Sequence, residues 1–355
     1  MLRPGDVFAG YRIQGVIGEG GSGAVYLAAH PRLPRQDALK VLHRALSRHP
    51  AYVTRFQREA DVACRLDHPS VVAVHDRGME DGQLWIAMQY VQGTDLGAVL
   101  RSTGPLSPRR ALAVVGAVGD ALDHAHTHGL VHRDVKPDNI LLSRTSTGPE
   151  RVMLTDFGIA AVTGGPTLTV AGSFVATMAY APLEQLESRG VDGRTDLYAL
   201  GAVLHELLTG VRPYAGLSLE AVYAAKVRGE VPDLRARRPD LPPGLAEVVR
   251  RAMAPDPADR FRTCGELAAA AKRALDPPPP PWQPRGTVVL PQVPPSRRPP
   301  PATPRPLDPP TLPPGASAWS PGATGTTPPR RTWPWAVAAV VLAVAVVLLV
   351  VFALL

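Results

Sequence analysis

Four side chains near the middle of the chain carry groups that handle metals and phosphates. Asp134, Lys136 and Asn139 stand close together, and Asp156 follows 17 residues after Asn139. Carboxylate and amide oxygens are hard ligands suited to small divalent cations, and a lysine ammonium beside them neutralises an anion. Upstream, Ile17 leads into Gly18-Glu19-Gly20-Gly21-Ser22-Gly23-Ala24-Val25, a G-x-G-x-x-G-x-V run. Glycines let the backbone approach phosphate oxygens closely, and exposed amides bind them. Farther on, Ala38-Leu39-Lys40-Val41-Leu42 sets one lysine in an apolar alternating stretch, where an unpaired ammonium is costly. Lys40 needs anionic partners. Glu59 supplies one and nucleotide phosphates the other. Met singly, Asp134 reads as a turn residue, Lys40 as a snorkelling strand lysine and Asp156 as a helix cap. Their combination points to chemistry on phosphates.

These residues have to be held by particular elements. A dinucleotide-binding turn leads from a strand into a helix, whereas the strand-like Ala-Val-Tyr-Leu-Ala follows this glycine run. A strand on both sides favours a loop folded over a nucleotide. Alternation predicts strands over residues 11–17, 23–29, 38–42 and 84–90, and helical spacing predicts helices over 51–66, 107–128, 196–209 and 241–253. The fold class is therefore α+β: a small sheet-rich lobe over about residues 1–90 and a larger helical lobe over about 91–276.

Composition sets the rest of the organisation. The chain has 355 residues, 40 of them proline, with 38 Lys+Arg against 31 Asp+Glu. An apolar fraction of 45% excludes a wholly disordered chain. Residues 277–334 hold 22 of the prolines, six arginines and one acid, Asp308. Such a stretch forms neither helix nor sheet and reads as an extended juxtamembrane linker. Residues 335–355 carry no polar side chain other than Trp335, enough at about 1.5 Å per residue to cross a bilayer as a helix in contact with membrane lipid. Trp333 and Trp335 suit the interface, and Arg330 and Arg331 place the N-terminal side in the cytoplasm. The reading is a single-pass protein of the cell membrane with no exterior domain and no secretory signal. Of the net charge of +7, the linker supplies +5, six arginines less Asp308. The basic balance is thus a membrane-side feature, and nucleic acid is not an expected partner. Cys64 and Cys264 have no metal-ligand spacing, so zinc is not expected and both read as reduced thiols.

The most specific signal is Val131-His132-Arg133-Asp134-Val135-Lys136-Pro137-Asp138-Asn139 followed by Asp156-Phe157-Gly158. Over about residues 6–274 the chain resembles the bacterial membrane-anchored (Hanks-type, eukaryotic-like) serine/threonine protein kinases. Lys136, two residues after the aspartate, suits serine/threonine rather than tyrosine kinases. The resemblance implies a two-lobed fold that transfers the γ-phosphate of ATP to Ser/Thr hydroxyls of protein substrates, with Mg2+ or Mn2+. It implies that Asp134 orients the hydroxyl and accepts its proton, that Lys136 contacts the γ-phosphate, and that Asn139 and Asp156 hold the metal ions. Lys40 would hold the α/β-phosphates while paired to Glu59. Adenine would lie between Val25 and Ala38 above and Leu141 below, against the hinge Gln89-Tyr90-Val91 with Met88 as gatekeeper, and His132 would pack on Phe157.

The segment between Gly158 and Glu184 carries Thr163, Thr167, Thr169, Ser173 and Thr177. Arg133 is suited to bind a phosphate there, so autophosphorylation at Thr167 or Thr169 is expected, with Thr177 instead bonding Asp134 and Lys136. The family reads Gly-Thr-x-x-Tyr-x-x-Pro-Glu, but this chain has Ala176-Thr-Met-Ala-Tyr180-Ala-Pro-Leu-Glu184, which puts the substrate loop in question. Glu184 should pair with Arg260, and Asp196 should support the catalytic-loop backbone. A homodimer through the kinase domain is implied by the resemblance alone. Two rival readings are a nucleotide-binding pseudokinase scaffold and a membrane-tethered proline-rich adaptor.

Overall fold

The structure is a computed structural model that describes residues 1–143, 150–157 and 178–276. The expectations for Thr163, Thr167, Thr169, Ser173, Thr177, the linker and residues 335–355 lie outside the described residues. The chain divides into Met1–Pro284 and Arg285–Leu355, and every described residue falls in the first unit.

The first lobe is built on strands β1 (Val7–Phe8), β2 (Tyr11–Gly20), β3 (Gly23–Ala29), β4 (Gln36–Leu42), β5 (Val74–Glu80) and β6 (Gln83–Gln89), paired antiparallel in the order β1-β2-β3-β4-β6-β5. In β2, Tyr11 and Ile13 are buried while Arg12 and Gln14 face water, the period of a half-buried strand. Strand β4 is buried on both faces. Leu39 and Val41 join Tyr11, Ile13 and Trp85 in one cluster, while Ala38 and Leu42 join Phe56, Ile86 and Met88 in another. Lys40 alternates with Leu39 and Val41, so it points toward that second layer.

After a short helix α1 (Arg44–Ser47), helix α2 (Pro50–Ala63) packs on the second face, with Pro50 at its first turn. Its buried Tyr52, Phe56, Ala60 and Ala63 recur at helical spacing. Glu59 belongs to this helix.

In the second lobe, α3 (Leu96–Thr103) starts with Asp95 capping the Ala98 amide. Helix α4 (Pro108–Thr127) follows, then a small sheet of β7 (Thr94–Asp95), β8 (Ile140–Ser143) and β9 (Arg151–Leu154) in the order β7-β8-β9. Beyond it lie α5 (Leu183–Leu186), α6 (Gly193–Thr209), α7 (Leu219–Val227), α8 (Leu234–Arg237), α9 (Pro243–Ala252) and α10 (Cys264–Leu275). Helix α6 is buried nearly all round, which makes it the core around which α4, α9 and α10 pack. It ends at Gly210, whose φ of 73° closes the last turn in the left-handed conformation. Among the described residues no helix is long and apolar enough to cross a membrane.

Candidate active site

The loop between α4 and β8 gathers Asp134, Lys136 and Asn139. Lys136 Nζ donates to Asp134 Oδ2 at 2.7 Å. Asn139 Nδ2 donates to the same oxygen at 3.0 Å and to the Asp134 carbonyl at 2.7 Å. The amide nitrogen is thereby committed, which leaves the Asn139 amide oxygen as its ligand atom.

Asp196, fully buried on α6, holds this loop from beneath. Its carboxylate accepts the backbone amides of His132 at 2.8 Å and Arg133 at 2.7 Å, and lies 2.7 Å from His126 Nε2. Arg133 has φ of 64° and Asp156 φ of 62°, conformations that side-chain-bearing residues seldom adopt. At Arg133 the Asp196 bonds, with Gln185 Nε2 donating to the Arg133 carbonyl at 2.7 Å, offset that strain. His132 donates from Nε2 to the Thr155 carbonyl at 2.9 Å and accepts the Asp134 amide at Nδ1. Its ring packs on Phe157 at 4.8 Å between centroids. His132 is therefore a structural tie between the two loops, as the resemblance implied.

The expected pair of Lys40 with Glu59 is not what forms. Lys40 Nζ lies 2.8 Å from Asp156 Oδ1, and Glu59 Oε1 accepts Arg133 Nη1 at 2.8 Å. Two cations and two anions share this region, and the packing of α2 decides which meet. Arg133 reaches up to α2, so the ammonium takes the carboxylate of Asp156. Burial raises the pKa of Glu59, which Arg133, Arg55 and Arg58 only partly offset, and among the described residues its Oε2 is buried without a hydrogen-bond partner. For Asp156 burial works upward, but the charge and hydrogen bond of Lys40, then His132 and Lys136, carry its carboxyl below the usual range. Asp156 is thus held ionised, and with the Asn139 amide oxygen it forms a hard-oxygen set that fits a divalent ion.

The glycine-rich run is the hairpin of β2 and β3, with Gly20 opposite Gly23 and Gly21-Ser22 as its turn. Gly18 and Glu19 lie on β2 opposite Val25 and Ala24. Gly23 has φ of 155°, and a Cβ there would meet the Val41 carbonyl at 2.1 Å, so the fold itself requires it. Around Gly20 nothing among the described residues lies within 4 Å of such a Cβ. Packing among the described residues therefore does not require glycine at position 20. Ala38 pairs with Met88 across β4 and β6, and both share a cluster with Val25, Val91 and Leu141. The residues expected around adenine are thus brought together, with Gln89 ending β6 and Ile17 46% exposed. Behind Met88, whose sulfur accepts from Thr155 Oγ1 at 3.7 Å, an apolar pocket reaches Phe56, Val72, Ile86 and Phe157.

Farther along the chain, Arg260 grips Glu184 through both guanidinium nitrogens at 2.6 and 3.1 Å, as expected. The carbonyls of Ala254, Pro255 and Arg194 accept its remaining donors. Removing one partner of such a buried pair costs about 3–5 kcal/mol. Sequence reasoning missed Lys226, which is 3% exposed. Its Nζ donates to Tyr198 Oη at 2.6 Å and to the Ala179 carbonyl at 3.4 Å, and sits over the rings of Tyr198 and Tyr214. It ties α7 to the segment with the unusual Ala-Tyr-Ala-Pro-Leu-Glu wording. Gln185 and His126 were missed as well, because their partners are remote in sequence and no local pattern marks them.

The family described as "Protein kinase domain" matches residues 11–270. The serine/threonine-protein kinase PknJ of Mycobacterium tuberculosis is 50% identical over 277 residues, 77% of this chain and 47% of that protein. PknE of the same species is 42% identical over 332 residues, covering 94% of this chain and 57% of the relative. The chain spans about half the length of the curated relatives it matches. The crystal structure of the M. tuberculosis PknI kinase domain superimposes with a TM-score of 0.63 at 40% identity, over 77% of this chain and all of that one.

Proposed function

The chain belongs to the protein kinase domain family, and from that premise we propose that it transfers the γ-phosphate of ATP to serine and threonine hydroxyls of proteins. The observation that carries this reading is the hydrogen-bonded group of Asp134, Lys136 and Asn139, facing the Lys40 and Asp156 pair. Phosphoryl transfer needs positioning and charge neutralisation more than covalent work by the protein. Asp134 accepts the proton of the attacking hydroxyl through Oδ2 or its partner oxygen. Lys136, already on that carboxylate, neutralises charge on the transferred group. Lys40 exchanges Asp156 for the nucleotide phosphates, which frees Asp156 to act as a metal ligand with Asn139. A divalent ion, Mg2+ or Mn2+, held there would neutralise the phosphate oxygens.

Regulation follows from the same charges. A phosphate placed on Thr167 or Thr169 competes with Glu59 for Arg133. Released Glu59 can then take Lys40. Phosphopeptide mapping of active enzyme that finds neither threonine modified would refute this step.

We also propose that residues 335–355 anchor the protein in the cell membrane with the kinase domain on the cytoplasmic side, supported by the apolar run and by Arg330 and Arg331. If the lobes pair as homodimers there, autophosphorylation per enzyme rises with density on vesicles; a flat dependence counts against pairing. The test of the activity is incubation of the full chain with labelled ATP, Mg2+ and a generic basic protein, beside Lys40→Ala and Asp156→Asn. Transfer by the parent alone is expected. No transfer by the parent to itself or to the added protein would sink the proposal.

A further inference from the structure

Behind the catalytic loop, the end of α4 and the start of α10 bring a carboxylate, an imidazole and a thiol together. Asp123 and His126 are three residues apart on α4 and share a face, with His126 Nδ1 4.0 Å from Asp123 Oδ1. Cys264 comes from the first turn of α10. Its amide donates to Asp123 Oδ1 at 2.9 Å, and the next amide, Gly265, donates to Oδ2 at 2.8 Å. One ligand atom from each of Asp123, His126 and Cys264 can be chosen so that all lie within 4.8 Å of one another.

The orientation of the imidazole is set from behind. His126 Nε2 lies 2.7 Å from Asp196 Oδ2. A carboxylate oxygen accepts, so Nε2 is the donor in this contact and Nδ1 is left on the side of Asp123. A carboxylate on the far nitrogen of a histidine is the arrangement that orients and strengthens a metal-binding imidazole. The Gly193 backbone packs against the ring, since a Cβ there would stand 2.7 Å from Nδ1, so only glycine lets the imidazole keep this position. The donor set of one nitrogen, one oxygen and one sulfur is that of zinc rather than magnesium or calcium. His126 and Asp123 keep 19% and 30% of their side-chain surface, which gives an ion a way in. Ligands of a tetrahedral zinc stand about 3.5 Å apart, so closure asks for about 1 Å of movement.

We propose that Asp123, His126 and Cys264 form a three-ligand site for a zinc-class divalent ion, and that its occupancy acts on the catalytic loop through Asp196. Binding forms a metal–sulfur bond and releases the thiol proton of Cys264 to solvent, with no redox change. Asp196 receives His126 on the same carboxylate that holds the amides of His132 and Arg133. Drawing the imidazole toward an ion therefore changes the support beneath Asp134. Neither cysteine has metal-ligand spacing along the chain, because the set closes only between two helices.

The test is titration of the metal-free full chain with Co2+. A thiolate-to-cobalt charge-transfer band should appear at one equivalent and be discharged by Zn2+. Cys64 and Cys264 are the only cysteines, so the band should persist in Cys64→Ser and vanish in Cys264→Ser. Asp123→Asn should weaken binding about 10-fold or more. X-ray absorption of the zinc-loaded parent chain should show one sulfur among its ligands, a reading that does not depend on how any variant folds. No band, a band that survives Cys264→Ser, or a shell without sulfur overturns the site. For the coupling, stoichiometric Zn2+ should lower phosphoryl transfer severalfold in the parent and leave Cys264→Ser unaffected. Equal responses overturn the coupling. That last arm rests on the proposed kinase activity, whereas the spectroscopic arms do not.

Discussion

Replacing Lys226 by methionine should make the protein's stability less dependent on pH between 7 and 9. Burial, and after it the charge of Arg260, lowers the lysine from 10.5 to about 7, with Glu184 opposing. The remaining groups around the amine are neutral at these pH values: the Ala179 carbonyl and the hydroxyls of Tyr198 and Tyr214, whose own pKa values burial raises. An amine whose folded pKa is depressed binds its proton more weakly than the unfolded chain does. The destabilisation is therefore complete below pH 7 and is relieved as pH rises toward 10.5. Between pH 7 and pH 9 the parent should gain about 2 kcal/mol from this one group. Methionine fills a similar volume and has no proton to bind. The assay is urea unfolding of both full chains at the two pH values, taking the difference between them so that all other titrations cancel. Stability curves that run parallel within about 0.5 kcal/mol would refute the reasoning, since the amine would then be charged at both pH values and held by the tyrosine faces and Glu184.

Asp134→Asn should lower kcat by about 10^2–10^4 and leave KM for ATP nearly unchanged, because proton acceptance is lost while the nucleotide contacts stay; steady-state kinetics with a peptide substrate checks this. His205, 2% exposed on α6, is lowered to about 4 by burial. Its stability contribution is present above the unfolded value of 6.5 and lost as pH falls, so the parent should lose about 2 kcal/mol between pH 7 and pH 5 that His205→Leu does not. Gly23→Ala should destabilise the hairpin through its clash with Val41, whereas Gly20→Ala should leave the melting temperature within about 2 °C and raise KM for ATP instead. Thermal melts beside ATP titrations separate the two.

Much of the site was legible along the chain. Asp134, Lys136 and Asn139 sit in one short loop, and alternation marked Val25, Ala38 and Met88 as strand residues, though their pairing came only with the structure. Strand β5 was not foreseen, since Val74–Glu80 is mostly polar with little of its surface fully buried, and its pairing with β6 is made by backbone bonds that no side-chain period announces. The short β7, β8 and β9 escaped for a related reason: at two to four residues they are too brief for alternation to register.

The sequence by itself determined which groups are present, which faces are apolar, and that a glycine hairpin, a strand lysine and the loop of Asp134 belong to one domain of the protein kinase family. These are properties of local order, written in residue type and period. Only the tertiary structure decided who pairs with whom. Lys40 meets Asp156 and Glu59 meets Arg133, although the sequence favoured Lys40 with Glu59. Coulomb attraction in a partly buried region is strong for any close pair of opposite charges, so the choice falls to the angle at which α2 and the catalytic loop pack. The same holds for Cys264, brought beside Asp123 and His126 by helices more than a hundred residues apart, and for Lys226, whose burial under Tyr198 and Tyr214 depends on how α7 lies against α6.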